Sequence, residues 1–167
     1  MTPLSETRLS DCHRLFLSRD WLGNGGTINW IMLNPSTADD IFDDPTIRKC
    51  RGFSKRWGFS HLTVTNLFTF RATSPIDLKT MARIDWARAV GYADGALIEN
   101  AAKADLVLAA WGVHGNFMGR ADDVLLRVLP SVRLHCIGKT KDGFPLHPVM
   151  AAYTTEPDIF RGDKGNE

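Results

Sequence analysis

Four short strings hold most of the residues able to do chemistry. Asn34-Pro35-Ser36-Thr37-Ala38-Asp39-Asp40 packs an amide, two hydroxyls and two carboxylates into seven positions. Asn66-Leu67-Phe68-Thr69-Phe70-Arg71-Ala72-Thr73 offers an amide, two aromatic rings and a guanidinium. Trp111-Gly112-Val113-His114 and Gly143-Phe144-Pro145-Leu146-His147-Pro148 add an indole and two imidazoles. A side-chain amide presents a donor and an acceptor together, which suits one edge of a planar polar ring. An imidazole changes charge near neutral pH and can donate to a developing anion. Asp39 and Asp40 lie close enough to the first amide for one of them to orient a water.

Several familiar chemistries fail on spacing. No G-x-x-x-x-G-K-[ST] string occurs, and Gly112, Gly115 and Gly119 do not form G-x-G-x-x-G. Asn34-Pro35-Ser36-Thr37-Ala38 is not the G-x-S-x-G elbow of hydrolases, although a triad of Ser36, His147 and an aspartate stays open. The five histidines show no H-x-x-x-H or H-E-x-x-H spacing. The three cysteines, Cys12, Cys50 and Cys136, are far apart and make no C-x-x-C. No metal and no cofactor are therefore expected. Asp43 and Asp44 precede Pro45 as a helix cap would. Arg48, Lys49, Arg51, Lys55 and Arg56 contain no acid among them: a solvated helix face, or a phosphate-contacting face joined by Arg71, Lys139 and Lys141.

These strings must be positioned by the elements before them. His13–Arg19 leads through the turn-rich Leu22-Gly23-Asn24-Gly25-Gly26-Thr27 into a strand over 28–34, which reads as a hairpin. Asp43-Asp44-Pro45 starts a helix with apolar positions Ile47, Cys50, Phe53 and Trp57. Strands follow at 62–67, 105–111 and 132–137, with helices expected over 86–102 and 122–129. Short apolar strands alternating with helices predict a parallel sheet covered on both faces. Each of the four strings falls after one of the strands, and in such folds ligands bind beyond the strands' carboxyl ends.

Composition bounds the rest. The 167 residues suit one domain spanning 1–167, and 44% hydrophobic with 23% charged residues is ordinary for a globular chain. Twenty Lys+Arg against nineteen Asp+Glu leave a net charge of +1, which excludes a globally basic nucleic-acid coat but not a basic patch. Apolar runs are too short to span a membrane, and the first residues lack a secretory pattern. A cytoplasmic protein with no membrane partner is expected.

Two resemblances follow from these residues. Met32-Leu33-Asn34-Pro35-Ser36-Thr37-Ala38-Asp39, Asn66-Leu67-Phe68 with Arg71-Ala72-Thr73, Trp111-Gly112 and Gly143-Phe144-Pro145-Leu146-His147-Pro148 resemble the bacterial and phage family described as domain of unknown function 1643. The order of the same strings also resembles the uracil-DNA glycosylase superfamily. That superfamily has G-x-N/D-P after its first strand, where Met32-Leu33-Asn34-Pro35 departs at the glycine. It has a base-reading Asn at the end of its second strand, like Asn66. Its mismatch-specific branch has Arg-Pro-Thr where Arg71-Ala72-Thr73 stands. Its last motif is H-P-S or N-P-S, matched by His147-Pro148 with Val149 in place of Ser.

The resemblance implies a three-layer α/β/α fold with a four-stranded parallel sheet in spatial order 2-1-3-4, plus the N-terminal antiparallel hairpin strand. It implies hydrolysis of the N-glycosidic bond of a uracil-like or modified base in nucleic acid, DNA before RNA. Asn34 would position the water, Asp39 would supply a carboxylate, and His147 would stabilise the leaving base. Asn66, Phe42, Phe68, Trp111, Pro35 and Ser36 would bind the base, with Phe70 a further stacking candidate. Arg48, Lys55, Arg71, Lys139 and Lys141 would hold phosphates. An enzyme acting on free nucleosides or nucleotides, and a non-catalytic module binding a nucleotide or modified base, are the alternatives.

Overall fold

The computed structural model describes residues 6–161, apart from 11, 37 and 39–41. Asp39, assigned a carboxylate role by resemblance, therefore lies outside the described residues.

Among the described residues seven strands form one sheet: β1 (Glu6–Ser10), β2 (His13–Asp20), β3 (Thr27–Met32), β4 (His61–Asn66), β5 (Leu106–Ala109), β6 (Leu134–Cys136) and β7 (Asp158–Arg161). Their order is β1-β2-β4-β3-β5-β6-β7. β3 runs parallel to β4 and β5, and β5 parallel to β6. β1, β2 and β7 join antiparallel at the edges. The fold is thus mixed α/β with a seven-stranded mixed sheet, larger than the expected four parallel strands with one hairpin strand. The hairpin also differs. β2 pairs with β4, and β1 is its hairpin partner, so β2 and β3 are not neighbours. The chain between β2 and β3 crosses over β4's amino end, where the backbone N–H groups of Ser60 and His61 donate to Gly26 O.

β3 is central because both of its faces are apolar. Ile28, Trp30 and Met32 point to one core and Ile31 to the other. The polar Asn29 is fully buried, and its amide donates to the Thr63 and Thr65 hydroxyls of β4 at 2.9 and 3.2 Å. Those cross-strand bonds replace the water that a buried amide gives up.

Helix α1 (Pro45–Arg56) covers the first core with Ile47, Cys50 and Phe53. Asp44 caps it, its carboxylate accepting from Ile47 N at 2.8 Å. Trp30 stacks on Trp57 with centroids 5.8 Å apart and donates through its indole to Ser54 Oγ at 3.0 Å. The opposite core is covered by α2 (Pro75–Ile84), α3 (Trp86–Val90), α4 (Ala93–Lys103) and α5 (Arg120–Asp123), the last continuing as a π-helical turn, Val124–Val128.

The single helix expected over 86–102 is in fact α3 and α4, broken at Gly91. Gly91 has φ 57°, and a Cβ there would lie 2.1 Å from Thr69 Oγ1. α2 was not expected at all. Its start is local and readable: Ser74 Oγ accepts from Asp77 N at 3.2 Å, and Pro75 occupies the first turn.

Candidate functional site

The carboxyl ends of β3, β4 and β5 open on a cavity of about 320 Å³. Met32, Val64, Ile47 and Trp111 give it apolar walls, and Asn34, Ser36, Asp44, Asn66, His114 and His147 supply polar groups. The starts of α1 and α2 reach it through Asp44–Ile47 and Thr73–Pro75. Residues from four separate strings thus meet at one sheet edge.

Asn34 follows β3 in a turn laced to the loop after β4. Its Nδ2 donates to Pro35 O at 3.0 Å and Ala72 O at 2.8 Å, and Ala72 N donates to Pro35 O at 3.1 Å. Two carbonyl partners require the NH₂ end at that position, which fixes the orientation of the amide. Oδ1 is left as an acceptor on a cavity-lining residue.

Asn66 ends β4, in register with Met32. It is 2% exposed, and its Nδ2 makes no hydrogen bond among the described residues. An unmet buried donor costs about 1–3 kcal/mol, a cost that a ligand carbonyl in the cavity would remove.

Ser36 Oγ donates to Asp44 Oδ2 at 2.7 Å, while Asp44 Oδ1 holds the α1 cap. The hydroxyl is bound to a carboxylate and not to an imidazole, so a Ser36–His147–Asp triad is not assembled. Asp44 is more than the helix cap that the sequence suggests, because it also lines the cavity.

His147 is held by the loop that returns to the sheet. Gly112 N donates to Pro145 O at 3.1 Å and Leu146 N to Gly138 O at 2.9 Å. The imidazole then caps a 3-10 turn, with Val149 N donating to Nδ1 at 3.4 Å. Nδ1 is an acceptor, so the proton of the neutral ring sits on Nε2. Burial pushes the pKa of His147 down, and the charge of Asp44 pushes the other way. His114 is also held neutral, first by burial and then by Lys79, whose Nζ stands 3.1 Å from its Nδ1.

Trp111 forms a wall with only 2% exposure, packed edge-on against Phe160. Gly115 permits this, because a Cβ there would lie 1.9 Å from Trp111 Cδ1. Pro35 is buried behind the turn and contributes its carbonyl. Arg14 of β2 also lines the cavity, 2% exposed, with Nη1 donating to Ala38 O. No local pattern points to it, because only the β2–β4 pairing brings this strand to the site.

Other expected residues lie elsewhere. Phe68 is fully buried, edge-on to Trp86 and beneath the Arg120 guanidinium, so it presents no face to a ligand. Phe42 is 70% exposed and lines a separate depression beside α1 with Arg48, Lys55, Arg51 and Asp43. Arg71 and Phe70 line a neighbouring depression that shares Ser36, and Arg71 donates to Ser36 O at 3.2 Å. Lys139 is exposed above the Phe160 ring, and Lys141 is exposed; neither lines the cavity. The cations expected to bind phosphate do not form one rim. Among the described residues no group of three or more His, Cys, Asp or Glu is placed to hold a metal.

The arrangement offers an acceptor at Asn34, a donor at Asn66 and a neutral imidazole at His147. The family described as protein of unknown function (DUF1643) matches residues 14–149. No curated protein and no solved structure matches.

Proposed function

The chain belongs to the DUF1643 family, and we propose that it hydrolyses the N-glycosidic bond of a uracil-like or modified base seated in the cavity. The observation that carries this reading is the meeting of the Asn34 acceptor, the unmet Asn66 donor and the neutral His147 in one small, apolar-walled space. Further support comes from the middle of the sheet. β4-β3-β5-β6 corresponds to the second, first, third and fourth strands of a uracil-DNA-glycosylase-like core, and we propose that layout for this chain.

Glycosidic cleavage develops positive charge on the sugar and negative charge on the departing base. Asn34 Oδ1 would accept from a water and hold it at the sugar carbon. Asn66 would donate to a base carbonyl. His147, through Nε2–H, would donate to the base oxygen on which charge collects; such donors act on the transition state and each is worth roughly 10²–10³ in rate. Both oxygens of Asp44 are already engaged, accepting from Ser36 Oγ and Ile47 N, so Asp39 stays the candidate carboxylate. In duplex DNA the base would first have to be turned out of the stack.

A second reading, action on free nucleosides or nucleotides, is favoured by one observation. Arg48 and Lys55 line a different depression from the cavity, which weakens the case for a polymer-tracking basic rim. The experiment is incubation of the chain with base-modified oligonucleotides and with the matching nucleosides, scoring abasic sites and free base. Release from oligonucleotides alone supports the first reading and release from nucleosides the second. Tight nucleotide binding without release from either leaves a non-catalytic binding module.

A further inference from the structure

Among the described residues, the α2 side of the cavity carries a charge that no carboxylate pairs with. Lys79, on α2, places Nζ 3.1 Å from Nδ1 of His114, a cavity-lining residue. A lysine ammonium can only donate, so Nδ1 is the acceptor and the ring is neutral with its proton on Nε2. The ammonium thus has a neutral partner in place of a carboxylate. It also lies 5.2 Å from the centre of the Phe117 ring, and the Arg83 guanidinium lies 5.1 Å from the same ring.

Carboxylates on the neighbouring elements are engaged elsewhere. Asp77 of α2 accepts from Ser74 at 2.8 Å, and Asp122, on the helix after the Phe117 loop, accepts from Asn116 at 3.0 Å. Among the described residues neither Lys79 nor Arg83 has an ion-pair partner. Pro75, one turn before Lys79 on the same helix face, also lines the cavity, so the positive end of the ten-residue α2 adds to the same field.

We infer that Lys79 and His114 form a phosphate subsite on the α2 side of the cavity, with Arg83 reinforcing its field. An arriving phosphate would enter between Lys79 and the ring, taking one N–H of Lys79 and, with the ring proton moved from Nε2 to Nδ1, the Nδ1–H of His114, and would supply the missing negative charge. What the phosphate is attached to rests on the proposal of a base in the cavity; the subsite itself does not. A nucleoside monophosphate and a nucleic-acid backbone present the same chemistry here.

The test is a titration with inorganic phosphate, followed by NMR of the histidine ring signals. Phosphate should shift the His114 signals saturably. Lys79→Met should weaken this at least tenfold, while Lys79→Arg, which keeps the charge, should retain most of it. An unresponsive His114, or equal phosphate affinity in Lys79→Met, overturns the subsite. A second arm compares a nucleoside, its 5′-monophosphate and a short oligonucleotide. A monophosphate preference lost in Lys79→Met identifies a free nucleotide. An oligonucleotide preference lost in Lys79→Met, with nucleoside and monophosphate bound equally, identifies the backbone. Phosphate binding without base release from any substrate would keep the subsite and remove the glycosidic reading; base release without phosphate binding would do the reverse.

Discussion

Asp44 serves the fold and the site at once, and two substitutions separate those duties. Asp44→Ala removes the α1 cap, worth about 1 kcal/mol. It also removes the acceptor of Ser36 Oγ at 2.7 Å, a charge-assisted bond worth about 1.5–3 kcal/mol. The variant should therefore lose about 2–4 kcal/mol. Asp44→Asn retains an oxygen for Ile47 N, because asparagine caps as well as aspartate. Its loss should stay near 1–2 kcal/mol, because the NH₂ end now faces Ser36 Oγ, which must turn from donor to acceptor and loses a charge-assisted bond. The charge, however, is gone. Burial lowers the pKa of His147 and Asp44 opposes that shift, so Asp44→Asn should move the pKa of His147 further down. Urea unfolding gives the stabilities and the pH dependence of the ring signals gives the pKa. A His147 pKa that stays put or rises in Asp44→Asn would refute the claimed coupling. An Asp44→Ala variant as stable as the parent would refute the cap argument.

Other outcomes follow from the same geometry. Asn66→Leu removes an unmet buried donor, so thermal unfolding should show a protein as stable as the parent or up to about 1 kcal/mol more stable, with calorimetry showing ligand binding lost. Gly52→Ala would place a Cβ 2.5 Å from Tyr153 Cε1; overpacking of this kind costs about 1–3 kcal/mol, and the displaced 148–153 segment should lower base release through His147. Arg120→Met leaves Leu67 O without its 2.8 Å donor and breaks the link to Asp94, an expected loss of about 2–3 kcal/mol in urea. His114, His135 and His147 all have pKa values below the ordinary 6.5. The folded state then binds fewer protons than the unfolded one, so the stability these three histidines contribute is constant above about pH 6.5 and falls as pH drops below it; a flat profile from pH 7 to 5 would contradict this.

The sequence disclosed what local chemistry controls. The α1 start at Asp44-Pro45, the apolar run of β3 and the placing of four strings at strand ends all follow from residue type and spacing. Partners distant in the chain were not legible. Nothing in His13–Asp20 says that it pairs with β4, so the entry of Arg14 into the site had no local signal. The role of Phe68 was misread because an aromatic after a strand looks the same whether it faces a ligand or Trp86. Ser74-Pro75 is a readable helix start, but the helical spacing behind it is weak, with only Leu78 and Ala82 buried. The Lys79–His114 contact joins residues 35 positions apart, one on α2 and one in the turn after β5.

The central claim is that the Asn34 acceptor and the His147 donor work on a base held in the cavity. The most direct measurement is the single-turnover rate of base release by the parent, Asn34→Ala and His147→Ala, on whichever substrate of the panel reacts. Each variant should fold and bind substrate while releasing base roughly 10²–10³ more slowly. Equal rates in parent and variants, or no base released by the parent from any oligonucleotide or nucleoside, would contradict the claim.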